Sequence, residues 1–83
     1  MHVYFITTSE HAERIAVEGF RDSDYGERGR GVMVQVTPVC VKTEGLTVIV
    51  VLVGDEPLEP YIDGDVACVP ARLLNTGYAE LLT

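Results

Sequence analysis

The chain has no tryptophan, only two cysteines, and only six basic residues against thirteen acidic ones. Each shortage excludes something. Cys40 and Cys68 lie in no C-x-x-C, and their spacing matches no zinc pattern. They read as buried apolar thiols of a cytosolic domain. A disulfide between them would need Cα atoms within about 7 Å, which the sequence leaves open. The net charge of −7 is opposite to that of a general nucleic-acid binder, since phosphate neutralisation supplies most non-specific affinity. No apolar run approaches the ~18–20 residues needed to span a bilayer. The longest, from Thr47 to Val53, has the length and composition of a strand. No basic flank leads into an apolar segment at the start, so the expectation is a cytoplasmic protein without a membrane anchor.

What is present points to a single small domain over residues 1–83. Apolar residues make up 47% of the chain, too many for a disordered segment. A domain of this size buries only about 60–65% of its extended surface, so its core is small. Charge is unevenly spread. Arg21, Arg28 and Arg30 are three of the six basic residues and share one loop. Asp55, Glu56, Glu59, Asp63 and Asp65 follow one another with no base between them. Such runs are ordinarily solvated loop charge. The first could also hold an anion, and the second could face a basic partner.

Residues 2–7 read as a strand, rich in aromatic and β-branched types. Thr7 and Glu10 fit a capping box. Ala12, Ile15 and Ala16 then recur at helical spacing, giving a helix over 8–18. Gly19 suits the left-handed position that ends a helix, with Phe20 folding back on Ile15. Residues 21–31 form a loop. Val32–Val36 is a strand that Pro38 ends, and Val39-Cys40-Val41 is a candidate continuation. Leu46–Val53 is apolar at nearly every position, which implies cover on both faces. Gly54–Pro57 is a break, and Leu58–Tyr61 is ambiguous between strand and loop. Asp63-Gly64 is a turn, and Val66–Val69 a short strand. Pro70–Asn75 is a helical turn stopped by Gly77, and Tyr78–Leu82 is a candidate last strand. The class is therefore α+β: one main helix packed on a small, mostly antiparallel or split sheet of four to six short strands. A single long helix covers one sheet face, so a second copy of the chain is the natural candidate for the other.

The order VYFITTSEHAERIAVEGFRD, loop, GRGVMVQVTP resembles the start of the ADP-ribosyltransferase-like superfamily, which includes RNA 2′-phosphotransferases. The closing VPARLLN is similar to the end of small bacterial members. The resemblance implies a split sheet with an NAD cleft. It also implies a His or Arg on the first strand, a Tyr or Ser on the second, and a late Glu that offsets positive charge in the transition state. Carried over, these positions fall on Phe5, on Met33, and near Val66 beside Asp65. The family's Thr-Ser pair falls on Thr7 and Thr8 and keeps its type. The three chemical groups are not kept. A slip of one residue would restore Tyr4 or Asp65, but it would turn them to the opposite sheet face.

The expectation is a small interaction or regulatory module on a reduced form of this fold, without catalysis, of the kind phages and mobile elements carry. Its partner-binding candidates are Asp55, Glu56, Glu59, Tyr61, Asp63 and Asp65, facing a protein partner of basic character. The alternative is an enzyme acting on NAD or a nucleotide phosphate. Its binding candidates are Thr7, Thr8, Arg28 and Arg30, because glycines admit the backbone and guanidinium forks match phosphate oxygens. No Walker lysine follows, so the loop is not a P-loop. NAD belongs to this alternative alone; otherwise no cofactor is expected. A third reading is an unrelated α+β domain. His2 and His11 read as solvated residues, and Asp63-Gly64-Asp65 reads as a turn rather than a metal site.

Overall fold

The computed structural model describes residues 1–39 and 41–82. Of Arg28, Tyr78, Glu80, Leu81 and Leu82 it describes the backbone alone. The strands are β1 (His2–Thr8), β2 (Ser23–Asp24), β3 (Arg30–Gln35), β4 (Leu46–Leu52), β5 (Ile62–Asp63), β6 (Val66–Val69) and β7 (Tyr78–Leu82). The helices are α1 (Ser9–Glu18), α2 (Asp55–Leu58) and α3 (Ala71–Asn75), with 3-10 turns at Gly26–Arg28 and Glu59–Tyr61. The fold is α+β. Six strands lie in the order β5-β6-β3-β1-β4-β7, every pair is antiparallel, and β2 pairs with the start of β3.

Register assigns the two sheet faces. Val3, Phe5 and Thr7 of β1 oppose Val51, Ile49 and Thr47 of β4. Val32 and Val34 of β3 oppose Val69 and Ala67 of β6. Most of these are buried with Ala12 of α1, Phe20, and Ala71 and Leu74 of α3, so this is the helix-covered face. Leu58 and Val53 extend the same cluster. The segment that reads ambiguously in sequence is therefore helical. Leu58 is fully buried where α2 meets the 3-10 turn.

The opposite face carries Tyr4, Ile6, Met33, Leu46, Val48, Val50, Leu52 and Cys68, by the alternation of the same strands. Val48 is 2% exposed, yet Leu46 and Leu52 are 38% and 45% exposed. The apolar run of β4 is thus fully covered under the helices and only partly covered on its second face. The sequence expectation of cover on both faces holds for its middle.

The main helix begins one residue later than the sequence reading. Thr8 is the cap, and its Oγ1 accepts from the His11 amide at 3.1 Å. Period-two alternation explains the shift. It turns Thr7 inward with Val3 and Phe5, which leaves the outward Thr8 to reach the helix amides. Gly19 ends α1 at φ 81°, donating to the Ile15 carbonyl at 2.7 Å. β3 stops at Gln35, and Val39 and Val41 lie outside any strand. Cys40 lies outside the described residues, and with it any pairing to Cys68. Among the described residues no helix is long and apolar enough to cross a membrane.

Candidate binding cleft

Strands β1 and β3 are neighbours but share only the pair Tyr4–Gln35. β1 keeps register with β4 along its whole length, and β3 with β6 from Val32 to Gln35. The two halves of the sheet therefore part beyond Tyr4. The first residues of β3 pair with β2 instead, Gly31 with Ser23 and Arg30 with Asp24. Gly31 is required at this point: a Cβ there would lie 2.8 Å from the Val69 carbonyl oxygen, so a side chain would push β3 off β6.

A cleft of about 390 Å³ opens at the parting. Phe5 of β1 and Val32 of β3 contribute from the sheet, Ile15 from α1, and Phe20 from the loop after it. The Phe5 and Phe20 rings meet edge to face, with centroids 5.5 Å apart at 83°. That is a favourable aromatic arrangement and fixes an apolar floor. Phe20 is held from behind. Its amide donates to Asn75 Oδ1 at 2.6 Å, and Asn75 Nδ2 donates back to its carbonyl at 3.0 Å.

The rim is polar. His11, Arg14 and Glu18 lie at i, i+3 and i+7 on α1, so one helix face delivers all three. His11 stands edge-on to Phe5, with centroids 6.2 Å apart, and its Nδ1 lies 2.9 Å from Thr7 Oγ1. Arg21, Ser23 and Tyr25 close the other side. Tyr25 Oη accepts from the Met33 amide at 3.3 Å, which leaves its own hydroxyl proton to donate. Arg21 Nη2 lies 3.7 Å from Glu18 Oε1, and both side chains are well exposed, so the pair is weak. Arg14 makes no ion pair among the described residues.

The residues singled out from sequence are not gathered here. Thr7 is buried beneath the rim and reaches the cleft only through His11. Thr8 is spent on capping α1. Arg30 is exposed at the start of β3, and the Arg28 side chain lies outside the described residues. Met33 lies on the opposite sheet face from Phe5, so the apolar floor pairs Phe5 with Phe20 rather than with Met33. His11, Arg14, Phe20 and Tyr25 are the residues that sequence reasoning missed. The helical spacing of His11, Arg14 and Glu18 was the available signal, once the side of the helix facing the loop is known.

The acidic residues fall at two places in the fold. Asp55 and Glu56 open α2, Glu59 lies in the 3-10 turn, and Asp63 and Asp65 flank the β5–β6 turn at one edge of the sheet. All five are exposed, whereas Tyr61 is half-buried against the core. Asp55 Oδ1 meets the Met1 ammonium at 2.8 Å. Asp65 gives its backbone carbonyl to the Val36 amide at 2.8 Å, tying the turn to the end of β3.

No protein-family model, curated protein or solved structure matches this chain.

Proposed function

We propose that this domain is an interaction or regulatory module on a reduced ADP-ribosyltransferase-like scaffold, and that it performs no transfer chemistry. The observation that carries the reading is the floor of the cleft. At the parting of β1 and β3, the position matching the family's first-strand polar group is Phe5, packed on Phe20. A phenyl ring cannot donate to a ribose hydroxyl. The position of the late carboxylate is near Val66, whose strand pairs Val66 with Gln35 on the face away from Phe5. The nearby Asp65 is an exposed turn residue at the sheet edge. Neither group is set to offset an oxocarbenium-like charge within the cleft.

The partner surface in this reading is the acidic segment from Asp55 to Asp65. Five exposed carboxylates on α2, the 3-10 turn and the β5–β6 turn present negative charge with no Lys or Arg in the same stretch. Such a surface steers and selects a partner of opposite charge. Half-buried Tyr61 supplies an aromatic anchor beside it. Co-purification followed by mass spectrometry tests this, comparing the wild type with a variant carrying Asp55→Lys, Glu56→Lys and Glu59→Lys. The reading expects a defined partner that the wild type holds at low salt and the reversed variant loses. Recovery of the same proteins by both would contradict it.

A further inference from the structure

The cleft carries an inference of its own, independent of whether the scaffold is related to any transferase and of the partner at the acidic segment. We propose that it is a binding site for a small planar aromatic ring bearing one anionic group, an aryl phosphate or an aryl carboxylate.

Three observations lead there. The first is the sign of the charge. The chain carries −7 overall, yet the charged residues lining this cleft are two arginines, Arg14 and Arg21, against a single carboxylate, Glu18. Arg14 has no ion-pair partner among the described residues, and Arg21 has only the weak contact to Glu18. Guanidinium groups left this free at the mouth of a cavity are suited to a forked, charge-assisted contact with an anion.

The second is the floor. Phe5 and Phe20 are locked edge to face, with Ile15 and Val32 beside them. A flat apolar ring gains most from such a surface, because it buries both area and a favourable ring–ring contact. An inorganic anion gains nothing from it. At about 390 Å³ the cleft is of a size that encloses a one- or two-ring molecule.

The third is the arrangement of the uncharged polar groups. Tyr25 Oη already accepts from the Met33 amide, so its hydroxyl proton is available to a ligand. Thr7 Oγ1 occupies His11 Nδ1 at 2.9 Å, which leaves Nε2 as the ring nitrogen facing a ligand at the rim. The cleft thus combines an apolar bottom with donors and cations at its opening, the polarity of an amphipathic anion.

Amide shift titration of the intact chain tests this with four probes, phenyl phosphate, benzoate, inorganic phosphate and phenol, the first repeated at high salt. The proposal expects phenyl phosphate or benzoate to give saturable shifts at residues 5, 11–15 and 20–25. Phosphate and phenol should each bind at least about tenfold more weakly, and salt should weaken the charged ligand. Whichever aryl anion saturates identifies the anionic group. Arg14→Ala and Arg21→Ala, both at exposed positions that leave the core intact, should each weaken binding about tenfold with an unchanged melting temperature. The proposal is overturned if neither aryl anion saturates, if inorganic phosphate or phenol matches them, if the shifts map away from the cleft, or if both arginine variants bind like the wild type.

Discussion

Asn75 is the residue whose removal tests the architecture of the cleft most sharply. It lies 55 positions from Phe20 in sequence, yet it satisfies both the amide and the carbonyl of that residue, at 2.6 and 3.0 Å. It therefore closes the end of α1 onto α3 and holds one of the two rings of the floor. Asn75→Ala deletes both bonds. Each such bond contributes about 0.5–1.5 kcal/mol net, and the Phe20 amide, in a residue only 7% exposed, loses its acceptor. The expected loss is about 2–3 kcal/mol. For a domain of this size that is a fall of about 10–20 °C in melting temperature. Asn75→Asp is a sharper probe. It keeps the acceptor for the Phe20 amide but sets a carboxylate oxygen against the Phe20 carbonyl, so it should be at least as damaging. Urea denaturation with the slope held as a two-state check gives the free energies. Ring-proton shifts of Phe5 and Phe20 report whether the edge-to-face contact survives. A loss under about 0.5 kcal/mol for Asn75→Ala, the range of an ordinary surface change, would refute the reasoning.

Two further outcomes follow from the same packing. Thr8→Ala removes the cap of α1 and should cost about 1 kcal/mol by urea denaturation. Thr8→Asp, which keeps a capping oxygen, should cost much less. Leu58→Ala empties the fully buried site beneath α2 and should cost about 2–5 kcal/mol, with the largest loss of amide protection in residues 53–63 on hydrogen exchange.

Much of this fold was legible in the residues. The helix, its stop at Gly19 and the strands at 2–7, 32–36, 46–53 and 66–69 all follow from periodicity and turn chemistry, and each stands in the structure. What sequence could not give was pairing. β1 sits between β3 and β4 in a way that no local pattern encodes, and the single Tyr4–Gln35 pair that opens the cleft is a long-range event. The same limit explains the capping residue. Thr7 and Thr8 are chemically alike, and only the face each takes in β1 decides which one caps. The cleft was less legible still. His11 and Arg14 look like ordinary solvated helix residues until the loop carrying Arg21 and Tyr25 is folded across from them. Phe20 reads from sequence as a helix-end contact, but its clamp by Asn75 depends on α3, at the far end of the chain. The acidic stretch is the opposite case. Its exposure follows directly from composition, and only the placing of Asp63 and Asp65 at the β5 edge and of Asp55 beside Met1 needed the fold.

The proposed function rests on a cleft that resembles the place where a transferase would hold NAD but lacks the groups that would use it. The most direct measurement is release of nicotinamide from NAD by the purified wild-type chain, followed chromatographically over many hours beside a protein-free control. The account expects release no faster than the control. Turnover above it that scales with protein concentration and falls on Phe5→Leu, while the fold remains intact, would contradict the account.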